Sequence, residues 1–267
     1  MIHALTSVLV DEFSLSPIMA AEIECYVQLG DTSPAAMEQF WVPVEQAFRH
    51  EGLPILRIEK ERGVHQYEIV TRVTTPENLV VTLASIRMIV EKYARRRQVE
   101  ASFAAKPFAD QPSSGLHLHL HLADGQGVNA YHKTEEWTSD DLRYSLGGLL
   151  AALPQDMAVF FPDEADYARL NDIDHVPKIA GWGVNNRYCA LRIPMHPDPY
   201  DKRIEHRVPC ANADPQAAIA AVLSGVVRGL REHLEPPPQE YGKSGRVGFR
   251  ESLAAAAISE AADIAVP

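Results

Sequence analysis

The sequence predicts an α+β fold with a largely antiparallel sheet and flanking helices. Segments of strict apolar–polar alternation, which are typical of strands with one buried face, are interspersed with segments of helical periodicity. Two of the alternating segments flank a turn at Gly63, as in a hairpin. Helices mixed with hairpin-like strand pairs favour an antiparallel sheet over a parallel one.

The first elements are a strand and a helix. Residues 20–29 alternate cleanly between apolar and polar side chains, which predicts a strand. Residues 34–51 have helical periodicity, with Ser33 as the expected N-cap and Gly52 as the stop. Pro43 lacks a backbone N–H, so we expect it to kink or interrupt this helix.

The strongest helix signal covers residues 76–97, where Thr75 is the expected N-cap and Pro76 opens the first turn. Three consecutive arginines end it, at the end of the helix dipole that favours cations. The other predicted elements are strands at 54–60, 64–72, 99–104, 115–122, 187–193 and 203–208, helices at 139–152, 215–234 and 252–265, and an irregular segment at 162–186.

Composition excludes several classes of function. The chain has 267 residues and a net charge of −11, and an acidic chain repels nucleic acid and anionic membranes. The three cysteines include no C-x-x-C pair, which is typical of a reduced protein without disulfides. We find no convincing signal peptide and no apolar run near the ~18 residues of a membrane span. These features predict a cytoplasmic protein.

The segment "GLHLHLHL" at residues 115–122 sends four leucines to one face of a strand and three histidines to the other. A solvated polar face is the ordinary explanation. Residues four apart on a strand are roughly 13 Å apart, so His117 and His121 cannot both bind one metal ion. At most two neighbouring histidines can share an ion.

Charged residues also share strand faces elsewhere. Glu22 and Glu24 form one such pair, and Glu205 lies between Arg203 and Arg207 in "RIEHRVP". We therefore expect these two arginines to flank Glu205. Carboxylates are ligands for Mg²⁺ or Mn²⁺, and arginines bind phosphoryl oxygens. Together such residues predict a metal–nucleotide site, although the chain has no G-x-G-x-x-G or complete P-loop motif.

Five segments, in order along residues 20–235, resemble the catalytic domain of glutamine synthetase. They are "AEIECYVQL", "ERGVHQYEIVTR", "KPFADQPSSGLHLHL", "NNRYCALRIP" and "RIEHRVPCANADPQAAIAAVLSG". The resemblance implies a curved sheet, two or more Mg²⁺ or Mn²⁺ ions, and ATP as co-substrate. It also implies metal-binding positions: Glu24, Glu61 and Glu68 for the first ion, and Glu22, His117 and Glu205 for the second.

The resemblance further implies that Arg187, Arg203 and Arg207 are catalytic arginines and that His119, Arg192 and Arg203 contact ATP. Arg169 falls roughly where the family holds a substrate carboxylate. His175 falls about where ammonia-using members have a glutamate, which indicates a different amine. His121 replaces a family serine and has no implied role.

The chain also departs from the family pattern. We expect residues 1–267 to form one catalytic domain, without the N-terminal β-grasp domain and with a shortened C-terminal region. Pro112-Ser113 stands where many members have Asn-Gly. In the family a neighbouring subunit completes the active site, so the resemblance implies a homo-oligomer or a partner subunit.

Three functions remain open at this point. The first is an ATP-dependent ligase that joins a carboxylate, expected to be the γ-carboxylate of glutamate, to ammonia or another amine. The second is a non-catalytic relative that binds metal and nucleotide in a regulatory or assembly role. A metal-dependent hydrolase that uses the same carboxylates is the third.

Overall fold

The computed structural model describes residues 1–31, 33–132, 138–172, 174–198 and 201–242, together with Phe249. The strands in these ranges are β1 (Leu15–Val27), β2 (Ile55–Lys60), β3 (Gln66–Thr71), β4 (Ala101–Ser102), β5 (Leu116–Asp124), β6 (Ile179–Val184), β7 (Cys189–Ile193) and β8 (Ile204–His206). The α-helices are α1 (Ile2–Phe13), α2 (Pro34–His50), α3 (Pro76–Arg97), α4 (Asp140–Phe160) and α5 (Pro215–Glu232). Two 3₁₀ helices cover Ala130–His132 and Glu164–Asn171.

The strands form one sheet in the order β2-β3-β1-β5-β8-β7-β6, and the short β4 pairs with the end of β1. Every pairing is antiparallel except that of β6 with β7. The predicted α+β class and the largely antiparallel sheet are therefore confirmed.

The core lies on one face of this sheet. Leu116, Leu118, Leu120 and Leu122 on β5 are at most 1% exposed and belong to the same apolar cluster as residues of α1, α3, α4 and α5. His206 on β8 also points into the core, where its ring lies 4.8 Å from that of Phe160. The helices therefore cover the apolar face and leave the opposite face for polar side chains.

Glycines allow α4 and α5 to cross very closely. A Cβ atom on Gly148 would lie 2.1 Å from the carbonyl oxygen of Gly225, and one on Gly229 would lie 2.0 Å from that of Tyr144. No flexible side chain can move aside at either point, because both neighbours are backbone atoms.

We expect Gly229→Ala to lower the free energy of unfolding by about 1–3 kcal/mol, because the added methyl group forces the two helices apart. Gly125→Ala is the control, since nothing lies within 4 Å of its added Cβ atom and exposed changes of this kind cost less than ~0.5 kcal/mol. Urea denaturation measures both. Equal unfolding midpoints for the two variants would contradict the close crossing.

Pro43 does not interrupt α2, so of the two outcomes expected from its missing N–H, a kink or an interruption, the interruption is wrong. The carbonyl of Gln39, which that N–H would have bonded in a regular helix, accepts a hydrogen bond from Nη2 of Arg97 at 2.7 Å. A side chain from the end of α3 thus satisfies the acceptor, and the helix continues to His50.

Three other elements differ from the sequence predictions. Helix α1 was not predicted, because Met1 makes no side-chain cap bond and Ser14, not glycine, ends the helix in a left-handed conformation (φ 56°). Helix α4 continues past residue 152, through Pro154, to Phe160. The segment 162–186, expected to be irregular, contains a 3₁₀ helix and strand β6.

The remaining boundaries mostly agree within a few residues. The predicted strand at 20–29 begins earlier, at Leu15, and only two residues of the predicted strand at 99–104 pair, as β4. The helix predicted at 76–97 agrees at both ends, and the side chain of Thr75 caps it by accepting from the N–H of Asn78. The helix predicted at 252–265 lies outside the described residues. In the described ranges, no helix has the length and apolarity needed to cross a membrane.

Candidate active site

Predicted histidines and glutamates meet on the polar face of the sheet. Pairing of β1 with β5 places Glu22 opposite His117, and pairing of β5 with β8 places His119 opposite Glu205. Opposite residues on antiparallel strands have Cβ atoms about 5 Å apart. Glu22, His117 and Glu205 line a cavity of about 870 Å³.

One group in this cavity has the dimensions of a cation site. A ligand atom from each of Glu22, His117 and Glu205 lies within 4.8 Å of the other two. His117 Nδ1 is 3.3 Å from Glu22 Oε2 and 3.7 Å from Glu205 Oε1. These are the three residues that the resemblance assigns to the second ion.

A second group shares His117. It contains Glu24 and Glu68, which face each other across the pairing of β1 with β3, and its ligand atoms also lie within 4.8 Å of one another. Burial and then the Arg207 charge lower the pKa of His117 to about 4. The imidazole is therefore neutral at pH 7 and has a lone pair available for a cation.

It is energetically unfavourable for the Glu24 and Glu68 carboxylates to be ionised together. Burial raises the pKa of Glu24 to about 7, with Arg169 opposing the rise and Glu61 adding to it. Burial, together with the charges of Glu22, Glu24 and Glu61, raises the pKa of Glu68 to about 9. A divalent cation relieves both the burial cost and the repulsion, so these residues fit the metal that the resemblance implies.

The pKa values of the other two carboxylates, Glu22 and Glu205, shift downward. Burial acts to raise the pKa of Glu22, but its contacts with His117 and His119 outweigh burial and lower that pKa. At Glu205, burial is outweighed by Arg207, the two histidines and Arg192, and the pKa falls to about 2. At pH 7 the site therefore holds two ionised carboxylates, Glu22 and Glu205, beside two with raised pKa values, Glu24 and Glu68.

The structure corrects one predicted contact. Glu205 is fully buried and pairs with Arg207 Nη1 and with Arg192 Nη1 at 2.7 Å. Arg203 instead contacts His119 Nδ1 at 3.3 Å and Asp201 Oδ2 at 2.6 Å. Arg192 lies directly opposite Glu205 on β7, whereas Arg203 precedes β8 and its guanidinium is held by Asp201 and His119.

Glu61 lies beside the second group without joining it. It lines the cavity and its charge raises the pKa of Glu24 and Glu68. One of its own oxygens accepts from the N–H of Arg62 at 3.2 Å. Of the three residues implied for the first ion, the structure brings Glu24 and Glu68 together. In this second group the third residue is His117, where Glu61 was expected.

Arg169 is part of the cavity wall but is held by the backbone. It is 1% exposed, and its Nη1 and Nη2 donate to the carbonyls of Val208 and Arg207 at 2.9 and 3.1 Å. Its Nε has no hydrogen-bond partner among the described residues. The guanidinium is thus fixed in place by two carbonyls.

Arg187 and His175 lie at the solvent-exposed end of the cavity. His175 has a left-handed backbone (φ 64°), and its carbonyl accepts from Arg207 Nη2 at 3.0 Å. Burial, Arg62 and Arg187 lower the pKa of its side chain. A neutral imidazole is therefore presented at this end.

His119 and His121 line a smaller cavity of about 320 Å³, next to Arg203 and Asp201. The two cavities share Glu22 and Arg57. Because His121 lies on the far side of His119 from His117, it is separate from both cation-sized groups.

Sequence reasoning missed several charged residues that line the cavity, among them Arg57, Lys106 and Asp172. Arg57 pairs with Glu59 at 2.8 Å, and Lys106 pairs with Asp172. Lys106 begins the segment "KPFADQPSSGLHLHL", but the resemblance gave it no role, and Asp172 lies in the segment that was expected to be irregular. No pattern in the sequence connects residues so far apart.

Comparisons with known proteins agree with this geometry. A profile of the glutamine synthetase catalytic domain matches residues 14–263. The γ-glutamylputrescine synthetase PuuA of Escherichia coli K12 is 35% identical over 156 residues, 58% of this chain and 32% of PuuA. A glutamine synthetase of Mycolicibacterium smegmatis is 30% identical over 209 residues, 76% of this chain and 44% of that protein. The chain thus spans about a third to under half of these relatives.

Solved structures share the fold at low sequence identity. Glutamine synthetase of Plasmodium falciparum superposes with a TM-score of 0.83 at 14% identity, covering 91% of this chain and 57% of that one. GmaS in complex with ADP superposes with a TM-score of 0.80 at 21% identity, covering 97% and 67%. The profile match covers nearly the whole chain, and the chain belongs to the glutamine synthetase family.

Proposed function

We propose that this chain carries the catalytic site of an ATP-dependent carboxylate–amine ligase. The proposed substrate is the γ-carboxylate of glutamate, which ATP phosphorylates and which ammonia or another amine then attacks. The main support is that two cation-sized acidic groups and three arginines, Arg187, Arg192 and Arg207, line one cavity. Membership of the glutamine synthetase family is the reason that we propose ATP-dependent ligation as the chemistry of this combination.

Six side chains would hold two or more Mg²⁺ or Mn²⁺ ions: Glu22, Glu24, Glu61, Glu68, His117 and Glu205. When bound, these ions neutralise phosphate charge and align the transferring phosphoryl group. The glutamates must be ionised to bind them, and His117 must be neutral, which its lowered pKa ensures. In this proposal Glu61 turns inward from its contact with the N–H of Arg62.

The cationic side chains would bind the anionic parts of the substrates. His119 and Arg203 line the smaller cavity, which shares Glu22 and Arg57 with the larger one. There they would contact ATP phosphates, and Arg192 would assist them. Arg187 and Arg207 would stabilise the negative charge that develops on the transferred phosphoryl group, as arginines do in phosphoryl transfer. Arg169 would orient the acid substrate from its fixed position in the wall.

The acceptor is proposed to be ammonia or a primary amine. PuuA carries γ-glutamylputrescine in its name, which connects this family with amines larger than ammonia. His175 presents a neutral imidazole at the open end of the cavity. There it would accept a hydrogen bond from the incoming amine and not repel its charge.

We further propose that a second copy of the chain or a partner subunit covers this open end. An acyl phosphate reacts with water unless the site excludes it, and both Arg187 and His175 are exposed. Light scattering with and without ATP, Mg²⁺ and glutamate tests this directly. A monomer with full ligase activity would show that the cover is unnecessary.

Calorimetry and phosphate release test the proposed reaction. We expect ATP to bind only with Mg²⁺ or Mn²⁺ present, and phosphate release to require glutamate together with an amine from a panel that includes ammonia, methylamine and putrescine. Equal ATP binding in excess chelator would contradict the metal site. Metal-dependent ATP binding without phosphate release would favour the non-catalytic function.

A further inference from the structure

A largely buried ion pair in the cavity wall has no role in the proposed reaction. Lys106 Nζ contacts Asp172 Oδ1, and the two side chains are 15% and 14% exposed. The same Nζ donates to the carbonyl of Gln111 at 2.6 Å. Both charged side chains face the 870 Å³ cavity, so the pair forms part of the site's wall.

The second oxygen of Asp172 anchors the backbone. Oδ2 accepts from the N–H of Ser113 at 2.7 Å, and Ser113 is only 6% exposed. The carbonyl of Ser113 in turn accepts from Gln66 Nε2 at 2.9 Å, and Gln66 Oε1 accepts from the N–H of Gly63 at 3.0 Å. Asp172 is thus the first of a chain of contacts that reaches the β2–β3 turn.

The anchored segment leads directly to a candidate cation ligand. Two residues after Ser113, the N–H of Gly115 donates to Glu24 Oε2 at 2.7 Å. The same backbone lies close to two other side chains of the cavity, because a Cβ atom on Gly115 would lie 2.6 Å from Arg169 Nη2 and 2.9 Å from His117 Nε2. The direction of the Glu24 carboxylate therefore depends on where this segment is held.

We propose that Asp172 is a positioning residue for the cation site. It holds the N–H of Ser113, and through the backbone of Gly115 it orients Glu24 toward the cation. Lys106 neutralises Asp172 so that a carboxylate can be kept in the wall. The inference rests on the proposed function, because it takes Glu24 as a cation ligand.

The alternative is that the pair only stabilises the fold. Asp172→Ala alone does not separate the two roles, because it leaves Lys106 buried without a counter-charge. Both comparison variants therefore also carry Lys106→Met. In Lys106→Met/Asp172→Asn the side chain still offers an oxygen to the N–H of Ser113, whereas in Lys106→Met/Asp172→Ala it does not. Both lose the ion pair and the donor to Gln111, so those losses cancel in the comparison.

The measurement is Mn²⁺ affinity by calorimetry, with the thermal midpoint recorded for each variant. We expect the alanine double variant to bind Mn²⁺ roughly 10-fold more weakly than the asparagine one, the usual cost of removing a group that orients a metal ligand. The same ratio is expected in the Mn²⁺ concentration that gives half-maximal phosphate release, with kcat similar in the two variants.

Equal Mn²⁺ affinity in the two double variants would overturn the inference and leave the proposed function standing. The single variants Asp172→Asn and Asp172→Ala form a second matched pair that does not depend on the double variants being folded. Both leave Lys106 without its counter-charge, and only the asparagine keeps an oxygen acceptor for the N–H of Ser113. We expect the same roughly 10-fold ratio of Mn²⁺ affinities in this pair, and equal affinities would overturn the inference. A wild-type chain that binds no Mn²⁺ would overturn the proposed metal site and the inference with it.

Discussion

Glu205→Ala is expected to lower the free energy of unfolding of the metal-free protein by about 3–5 kcal/mol, the typical cost of removing one partner from a buried charge cluster. Glu205 is fully buried and neutralises Arg192 and Arg207 together. Without it, two guanidinium groups face each other in the cavity wall with no counter-charge between them. Urea denaturation of the variant and of the wild type measures the difference.

An exposed carboxylate provides the matched control. Glu91 forms an exposed pair with Arg95 at 3.6 Å, and such pairs contribute about 0.3–0.5 kcal/mol. We therefore expect Glu91→Ala to unfold near the wild-type midpoint. Glu205→Ala should also weaken Mn²⁺ binding, since it removes one member of a cation-sized group. An unchanged midpoint together with unchanged Mn²⁺ affinity would remove Glu205 from the site.

Patterns that act over a few residues were sufficient to predict much of this fold. Alternation of leucine and histidine has a period of two, which a helix cannot place on one face, and β5 follows it residue by residue. Thr75 and Pro76 indicated where α3 begins because capping depends on the immediate neighbours alone. The polar face that brings Glu22 to His117 follows from the same alternation once the strands pair.

Features that depend on distant partners could not be predicted. Whether Arg192 or Arg203 contacts Glu205 depends on the register of β7 against β8, which no local pattern specifies. Pro43 lies within an uninterrupted helix, and the carbonyl that it leaves free is satisfied by Arg97 from another helix. The ion pair of Lys106 with Asp172 joins two segments 66 residues apart. In each case the outcome depends on a contact between segments that are distant in the sequence.

Metal-free protein is expected to lose stability as the pH rises from 6.5 to 9. The pKa values of Glu24 and Glu68 are raised from 4.5 to about 7 and about 9 in the folded chain. Such groups stabilise the fold fully below pH 4.5, and that contribution is lost as the pH rises through their folded pKa values. Only the folded carboxyl stays protonated over about half a pH unit for Glu24 and about 2.5 units for Glu68 in this window. At about 1.4 kcal/mol for each unit, the loss is on the order of 4 kcal/mol. Below pH 6.5 the buried His117 and His206, whose pKa values are lowered, destabilise the fold instead.

Mg²⁺ should reverse this trend, because a cation binds the ionised carboxylates and competes with their protons. Thermal unfolding in chelator should show a midpoint roughly 8–15 °C lower at pH 9 than at pH 6.5. Excess Mg²⁺ should raise the midpoint far more at pH 9 than at pH 6.5. Glu24→Gln/Glu68→Gln is the control: it removes both titrating groups, so its metal-free midpoint should change little between these pH values and Mg²⁺ should have little effect. A wild-type midpoint that rises with pH in chelator, or a stabilisation by Mg²⁺ that is the same at both pH values, would show that these two glutamates do not titrate as a cation site.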